Sequence, residues 1–518
     1  MTIRTSPTLA TLRGASAAVA LGLAGLGTLA ASPALAQEPA TSPRAAEDAL
    51  VMVARQDPGT LDYVKSILTA LRLWIPANVV EPLVYFEADG TVSPGVAESW
   101  EISEDGTVYT FTIRDAQFSD GTPVTVEDVV YSLETMSESP VVANAAAFDS
   151  VTDITALDDR RVQVTLSQPS QNFWFGMGDV SGLIQPEAAA GDIATNPIGT
   201  GPYRLVEYVS NSHLTFEANP NYWGEAPAIE DVTVRIVTDG TAGLNALAAG
   251  EVDAIPVITI DLWEQLVNRD LDDQYELVTY PQVGEPTYAV INQALDPGLR
   301  QAIAMTLDRQ QFNDAFGAAW GAENTCTFGL PNMPWYAPES AETCPYPFDF
   351  EAAMAAVAEN GYGDVELEYV SLSDVPDLSL PADVMVPMMQ AAGFDVTRNA
   401  IDLARYSQII FQGRPPQFDV TIMSGPGGAT QWACPDPEAA GWSTYCSAEY
   451  TEKLQAADAA TSQEEYEARM DEASAILRED AVIVPLIAKL GVGLLHPDLE
   501  GFTEPRVGVA VELSRLSW

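Results

Sequence analysis

Hydrophobic and polar positions follow each other along the chain in patterns that predict several strands. Residues Ala49–Ala54 form a continuous apolar run, which is typical of a strand buried on both faces of a sheet. After the turn at Asp105-Gly106, the side chains of Thr107–Arg114 alternate, with Tyr109 and Phe111 on the same face. This second segment is therefore predicted to be a strand with one buried face.

Apolar residues at helical spacing follow residues that can cap a helix. Thr125 and Asp128 form a capping-box pattern, and Ser462 begins another. Asp349 precedes an alanine-rich segment, which we predict to be a helix that stops at Asn360-Gly361. These signals give the starts of three helices and the end of one.

Strands and helices are arranged differently in two parts of the chain. Before residue 287 the pattern is a mixed α+β one, and after it strands alternate with helices, which is typical of an α/β domain. The strands predicted in the second part are Val365–Val370, Phe394–Thr397, Phe418–Met423 and Ala481–Ile487. The chain is therefore predicted to be α/β, with a mixed α+β subdomain.

The N-terminal segment has the pattern of a secretory signal peptide. Two arginines precede the apolar stretch Ala15–Leu29, and Ala34–Ala36 fits a small-residue cleavage site. The apolar stretch is short and glycine-rich, which favours a cleaved signal over a membrane anchor. We expect cleavage after Ala36, a flexible leader at residues 37–47 and an exported protein. We expect no lipid anchor, because no cysteine lies near the cleavage site.

The charge balance excludes two classes of partner. The chain has 23 basic and 74 acidic residues, a net charge of −51, and loss of the two signal arginines gives 21 − 74 = −53. Such a surface repels the phosphates of nucleic acids and of anionic membranes. Because 47% of the residues are hydrophobic and only 19% are charged, we expect a globular fold and not an acidic disordered chain.

The four cysteines fall into two close pairs, and export to an oxidising compartment permits disulfides. We predict the disulfides Cys326–Cys344 and Cys434–Cys446. Zinc binding is the competing interpretation, but there is no C-x2-C spacing and the only histidines are His213 and His496. The spacing therefore favours loop-closing disulfides, and no metal or other cofactor is predicted.

No arrangement of residues indicates catalysis. Neither histidine lies in a nucleophile motif, and the chain has no G-x-S-x-G sequence. With 74 carboxylates, accidental pairs of acids carry no information. The chain is therefore predicted not to be an enzyme, with an exported hydrolase as the disfavoured alternative.

Short motifs occur in a fixed order over nearly all of residues 48–518. They are Asn78–Leu83, Pro94–Trp100, Phe118–Ser132, Asn196–Tyr203, Asn219–Gly224, Gly250–Ala254, Leu299–Ile303, Asp308-Arg309 and Phe418-Asp419. Together they resemble the periplasmic solute-binding proteins of ABC importers, in the class that binds dipeptides, oligopeptides and nickel. No single motif is specific for this family. The resemblance rests on the occurrence of all of them in the family's order.

The resemblance implies a two-lobed, hinged periplasmic-binding-protein fold of type II, with an extra subdomain in the first lobe. It places the core of lobe 1 at residues 48–66, 187–286 and 484–518, the extra subdomain at residues 67–186, and lobe 2 at residues 287–483. The chain would cross between the lobes near Thr287–Asn292 and Val484–Leu486. Closure of such a hinge would bury a ligand in the cleft.

The same resemblance implies a function and its partners. The protein would capture a peptide or peptide-like solute and deliver it to an inner-membrane ABC permease, acting as a monomer. The alternatives are a non-peptide ligand (an oligosaccharide, opine, amine or metal chelate) and a ligand sensor instead of a transport component.

Dipeptide-binding relatives use an aspartate and an arginine as charged anchors, and the matching segments here lack both. Ser424–Cys434 contains no acidic residue, and Ser371–Ser379 contains no arginine. Longer peptides, sugars, opines and amines therefore stand as open alternatives to a short zwitterionic peptide.

Candidate ligand-binding residues lie where strands end. Gln56 follows the first strand, and Trp74 lies in the next helical segment, where packing is its alternative role. Ser371 and Ser373 lie at a later strand end that would face the cleft. Arg405 could pair with a ligand carboxylate, although a solvated helix face is the competing interpretation.

Three further candidates lie in or beside a glycine-rich loop at Ser424–Thr430. Gly425 is in the loop, and Gln431 and Trp432 lie beside the predicted Cys434–Cys446 disulfide, which would stiffen a binding loop. Asp374 could meet a cationic ligand, but a surface acid is the simpler interpretation in so acidic a chain.

Overall fold

The structure is a computed structural model. It describes residues 49–518 except 67, 88–89, 259, 270, 272–273, 317–321, 328–337, 374–378, 403–404, 407, 413–416, 425–446, 504–505 and 509. The predicted signal peptide and leader lie outside them. No helix among the described residues is long and apolar enough to cross a membrane.

The strands are β1 (Ala49–Ala54), β2 (Val84–Phe86), β3 (Val92–Pro94), β4 (Ala97–Ile102), β5 (Val108–Ile113), β6 (Val151–Ala156), β7 (Arg161–Leu166), β8 (Tyr203–Val209), β9 (His213–Ala218), β10 (Asp231–Ile236), β11 (Ala254–Ile255), β12 (Glu276–Ile291), β13 (Glu323–Asn324), β14 (Glu366–Leu372), β15 (Asp395–Ile401), β16 (Val420–Ser424) and β17 (Ile483–Leu495).

The α-helices are α1 (Thr69–Arg72), α2 (Val126–Ser137), α3 (Val142–Ala145), α4 (Gln171–Gly176), α5 (Gly240–Ala248), α6 (Ile260–Asn268), α7 (Pro297–Thr306), α8 (Arg309–Phe316), α9 (Pro338–Glu342), α10 (Phe350–Asn360), α11 (Pro381–Ala391), α12 (Ala448–Asp458) and α13 (Gln463–Glu479).

One large sheet carries two groups of parallel strands. Its order is β15-β14-β16-β12-β17-β11-β1-β10-β9-β8, and β13 also pairs with β17. β1 is parallel to both of its neighbours, β10 and β11, and β14 is parallel to both β15 and β16. Because ligands bind at the carboxyl ends of parallel strands, each group offers an edge for a binding site. The predicted α/β class is confirmed.

The long strands β12 and β17 connect the two groups. The start of β12 pairs with the end of β17, next to β11, at Glu276 and Leu495. The end of β12 pairs with the start of β17 and with β16. Their register shifts between Tyr280 and Glu285. The chain therefore passes between the two groups of parallel strands twice, along β12 and along β17, which are adjacent and antiparallel.

The predicted lobe boundaries stay a prediction. The register shift between Tyr280 and Glu285 lies a few residues before the crossing predicted at Thr287–Asn292. Residues 287–291 already pair with β16. If the molecule bends at this shift, the first hinge segment lies earlier in the chain than the motifs suggested.

A separate antiparallel sheet in the order β4-β5-β7-β6 lies within the residues predicted to form the extra subdomain. In β5 the side chains of Tyr109, Phe111 and Ile113 are buried and those between them are half-buried, which confirms the predicted alternation. At the start of α2, Thr125 and Asp128 form both hydrogen bonds of a capping box. The sequence signals in this region therefore gave the correct elements.

Two helices after residue 287 begin as predicted, and one of them also ends as predicted. The Asp349 side chain accepts a hydrogen bond from the backbone N–H of Ala352, 2.9 Å away, at the start of α10. That helix ends at Gly361, whose φ of 70° lies in the left-handed region that favours glycine. Ser462 caps α13 by accepting from the backbone N–H of Glu465.

A buried carboxylate, Glu81, hydrogen-bonds to groups from distant segments of the predicted first lobe. Glu81 is fully buried, and it accepts hydrogen bonds of 2.8 Å from the Tyr85 hydroxyl, the Thr200 hydroxyl and the Trp223 indole N–H. Burial raises the pKa of Glu81, and the three donors and the charge of Arg114 offset part of that rise. The Arg114 guanidinium lies over the Trp223 ring at 3.4 Å from its centroid. The network joins three segments that are distant in the chain.

Cys326 and Cys344 are joined by a disulfide, with their Cα atoms 4.9 Å apart. The loop that they close is held against α13, because Arg478 donates to the carbonyl and the hydroxyl oxygen of Ser340. The other predicted pair, Cys434 and Cys446, lies outside the described residues.

Replacing Cys326 and Cys344 together with serine is expected to lower the free energy of unfolding by up to about 3 kcal/mol. The bond joins residues 18 apart, and it restricts the unfolded chain by an amount that grows with loop length. Urea unfolding of the wild type and the double variant measures the loss. Mass spectrometry of unreduced, alkylated protein tests independently whether the bond forms, and an alkylated Cys326 would contradict the prediction.

Candidate functional site

A cavity of about 410 Å³ lies at the carboxyl end of β1. Three short stretches of chain form its walls: the end of β1, the helix α1 and the residues that follow β11. The lining residues are Val53, Ala54, Arg55, Gln56, Thr69, Ala70, Leu73, Trp74, Pro256 and Val257. Since β1 and β11 are parallel neighbours, their carboxyl ends meet at this edge of the sheet.

The turn after β1 holds the exposed rim of the cavity in place. The Asp57 carboxylate accepts hydrogen bonds from the backbone N–H of Gly59 at 2.6 Å, from the Ser210 hydroxyl at 2.8 Å and from the Tyr208 hydroxyl. Burial acts to raise the pKa of Asp57, but these hydrogen bonds outweigh it and lower the pKa to about 2. Asp57 is therefore ionised at neutral pH and ties the segment that carries Gln56 to the β8–β9 hairpin.

The helical wall is fixed from behind by a buried asparagine. The Asn78 side chain donates to the carbonyl oxygens of Trp74 at 3.1 Å and Val511 at 2.7 Å, and it accepts from the N–H of Leu513 at 2.9 Å. Asn78 therefore anchors the end of α1 to the C-terminal segment of the chain. Trp74 itself is 1% exposed, so it packs in the core and supports the cavity wall from inside.

Most residues that line the cavity are apolar. The polar and charged ones are Arg55, Gln56 and Thr69. Gln56 and Thr69 are exposed at the rim. Among the described residues, no group of three or more His, Cys, Asp and Glu side chains could hold a metal ion. Such walls suit a solute with an apolar part and a polar or anionic end.

The predicted site residues at the end of β14 lie elsewhere. Ser371 is fully buried, and its hydroxyl accepts a hydrogen bond of 3.0 Å from Nε of Arg398. Arg398 also donates to the carbonyl oxygen of Ser379 and pairs with Asp383. Ser373 is exposed just beyond the strand. A ligand role for the two serines stays a prediction, and Arg398 would have to release Ser371 for it.

Arg405 is exposed and does not line the cavity. Its guanidinium lies 3.3 Å from the side-chain oxygen of Gln408 and 3.4 Å from that of Gln417. Both contacts are local, as expected of an arginine on a solvated surface. Its role toward a ligand stays a prediction.

From Gly425 onward, the predicted glycine-rich binding loop lies outside the described residues. The predicted site residues Gly425, Gln431 and Trp432 and the disulfide residues Cys434 and Cys446 therefore also lie outside the described residues. Asp374, from another segment, lies outside them as well.

Sequence reasoning found Gln56 and Trp74 but missed most of the other lining residues. Arg55 and Thr69 could have been found, because the carboxyl end of a predicted parallel strand and the helix after it are where ligands bind. Pro256 and Val257 had no such signal, since β11 is only two residues long and shows no periodicity.

A comparison with known families gives one match over most of the chain. Residues 91–447 match the family of bacterial extracellular solute-binding proteins, family 5, in its middle region.

Two curated relatives carry names that describe binding. The probable D,D-dipeptide-binding periplasmic protein DdpA of Escherichia coli is 31% identical over 287 residues, which are 51% of this chain and 54% of that protein. The chain thus spans about half the length of this relative. Di/tripeptide-binding protein 1 of Pseudomonas aeruginosa is 24% identical over 79% of this chain and 83% of that protein.

The fold is similar to that of a solved structure over nearly its whole length. The ABC transporter substrate binding protein CtaP of Listeria monocytogenes aligns with a TM-score of 0.77 and 23% identity, covering 90% of this chain and 98% of that one. At this identity the likeness concerns the fold, and it agrees with the two-lobed architecture expected from the motifs.

Proposed function

Because the chain belongs to the bacterial extracellular solute-binding proteins of family 5, we propose that it is the periplasmic binding component of an ABC importer. It captures a peptide or peptide-like solute between its two lobes and delivers it to an inner-membrane permease. It acts as a monomer, after removal of a signal peptide that ends at Ala36.

The observation that carries this proposal is the cavity at the carboxyl end of β1, whose lining residues all belong to the predicted first lobe and would form that lobe's side of the cleft. Its volume of about 410 Å³ lies within the range of about 300–1,000 Å³ that small-molecule sites occupy. It has an exposed polar rim and an apolar interior, and its turn and helix are fixed by Asp57 and Asn78. A pre-organised cavity of this kind binds a solute without a large cost in ordering.

The lining supports a peptide-like ligand over a cation. Arg55 is the charged residue among the lining residues, in a chain whose net charge is −51. A guanidinium pairs with a carboxylate through parallel hydrogen bonds, and the Gln56 carboxamide can both donate to and accept from a peptide group. The apolar wall would then receive an aliphatic or aromatic side chain. The names of the two curated relatives point to the same ligand class.

Native mass spectrometry of freshly purified protein tests the proposal. We expect a co-purified mass that denaturation releases, and fragmentation of this mass should give a peptide or peptide-like compound. A thermal-shift panel of peptides, opines, sugars and amines should then raise the unfolding temperature for the same class. A folded protein that responds to no member of the panel would count against solute capture.

Replacing Arg55 with glutamine is expected to weaken binding of a peptide with a free C-terminal carboxylate about tenfold, through the loss of a charge-assisted hydrogen bond. Binding of the same peptide with an amidated C-terminus should change little. Isothermal titration calorimetry with both peptides measures the difference.

The matched control for this experiment is Arg161→Gln, which removes an exposed guanidinium outside the cavity. It should leave both affinities unchanged. An R55Q variant that binds both peptides as the wild type does would contradict the role given to Arg55.

A further inference from the structure

A half-buried carboxylate of the second lobe contacts the start of a helix in the first lobe. Asp458, the last residue of α12, accepts a hydrogen bond of 2.7 Å from the backbone N–H of Asn172 in α4. The hydroxyl of Ser170, which caps α4, lies 3.1 Å and 3.0 Å from the two carboxylate oxygens. The residues that meet here are 286 and 288 positions apart in the chain.

Further contacts surround this carboxylate. The buried Gln171 side chain donates to the carbonyl oxygen of Ala460 at 2.9 Å. The rings of Phe175 and Tyr466 lie 5.3 Å apart between centroids, so α4 also packs against α13. Polar and apolar contacts therefore join one short helix of the extra subdomain to two helices of the second lobe.

The ionisable groups that face Asp458 are an aspartate and two tyrosines. Burial raises the pKa of Asp458; the hydrogen bonds from Asn172 and Ser170 offset part of the rise, and the charge of Asp149 adds to it. Burial, followed by the charge of Asp458, raises the pKa of Tyr109 to about 12 and also raises that of Tyr466. No cation is among the groups that shift the pKa of Asp458.

We propose that Asp458 and the N-terminal end of α4 form a latch that holds the two lobes together. The inference rests on the proposed function, since a latch requires lobes that open and close about a hinge. Separation of the lobes would return the carboxylate and the Asn172 N–H to water. Contact between the lobes buries both groups and joins them.

The sign of the pH effect follows from proton binding. A carboxyl group whose pKa is higher in the closed form binds protons more tightly there than in the open form. A falling pH therefore favours closure. The contact is compatible with a protonated carboxyl group, because the carbonyl oxygen still accepts from Asn172 and the hydroxyl can donate to Ser170.

The test uses the mature chain from residue 37 and needs no ligand. Small-angle X-ray scattering measures the separation of the lobes, and hydrogen-exchange mass spectrometry measures protection of residues 170–176. In D458A we expect a larger radius of gyration and roughly tenfold faster exchange of the Asn172 amide, since this amide loses its acceptor. D458N should behave as the wild type, because its amide oxygen still accepts from Asn172.

Glu452→Ala is the matched control, because it removes an exposed carboxylate from the same helix. It should leave both readouts unchanged. If D458A changes neither readout, the contact does not hold the lobes and the proposal is wrong. If D458A speeds hydrogen exchange of the Asn172 amide but leaves the radius of gyration unchanged, the contact is only local. That result would also contradict the latch.

The pH arm compares the wild type with D458N between pH 7.5 and pH 5. Acidification lowers the repulsion between many carboxylates, so some compaction is expected in both proteins. The wild type should compact more, because only it gains a proton at position 458. Equal compaction would overturn the pH dependence. A failed solute panel would contradict the proposed function but would leave these scattering results standing, so the two failures can be told apart.

Discussion

Glu81→Ala is expected to lower the free energy of unfolding by about 3–5 kcal/mol, because it leaves two buried hydroxyls and the half-buried indole N–H of Trp223 without their acceptor. The Tyr85 hydroxyl, the Thr200 hydroxyl and the Trp223 indole N–H all donate to this one carboxylate. The side chain is fully buried, so water cannot replace it without opening the structure. Urea unfolding followed by tryptophan fluorescence measures the change.

Two variants control this experiment. Glu81→Gln keeps the shape and one acceptor oxygen, and a loss of about 1–2 kcal/mol is expected because its NH₂ group faces donors. Glu104→Ala removes an exposed carboxylate and should stay within about 0.5 kcal/mol of the wild type. A loss in E81A no larger than that in E104A would contradict the role of the network.

The raised pKa of Glu81 adds a pH dependence to the same comparison. Burial makes the folded protein bind the Glu81 proton more tightly than the unfolded chain does. The resulting stabilisation is full below the ordinary pKa of 4.5 and is lost as pH rises through the raised value. Because glutamine does not titrate, the stability difference between the wild type and E81Q should narrow as pH rises.

Thr69→Trp is expected to weaken solute binding at least about 100-fold, equivalent to about 2.8 kcal/mol, because the indole ring occupies the cavity. Thr69 is exposed, is the first residue of α1 and lines the cavity. A large side chain there fills space that the ligand needs without entering the packed core. Calorimetric titration with the solute found by native mass spectrometry measures the loss.

The controls separate blocked binding from damaged structure. Thr69→Ser keeps the hydroxyl and should bind within about twofold of the wild type, while T69W should unfold within about 0.5 kcal/mol of it, as exposed substitutions generally do. A T69W variant that is stable and still binds at wild-type affinity would show that the solute does not use this cavity.

Local sequence signals predicted local structure well. β1 has the bounds of its apolar run, and the capping residues Thr125, Asp349 and Ser462 each begin a helix. These predictions succeed because each depends on neighbours within a few residues. β17 begins two residues after the start of its predicted strand but continues to Leu495, since its pairing with β12 decides its length.

The site was harder to predict because it joins distant segments. Gln56 lies next to a recognisable strand end, but Pro256 reaches the same cavity from about 200 residues further along the chain through the pairing of β1 with β11. Ser371 looked available at a strand end, but it is buried and its hydroxyl accepts a hydrogen bond from Arg398 of the neighbouring strand. Asp458 gave no signal at all, since its partners are near position 170.

The central position of β17 in the sheet also affects folding of the chain during translation. β17 separates β11 from β12 in the sheet, so the sheet consists of two disconnected pieces until residues 483–495 have left the ribosome. Pairings between such distant residues form slowly, because a long loop must close first. The nascent protein is therefore without its finished centre for almost the whole of translation. A secretion machinery that threads unfolded polypeptides would have that interval in which to engage it.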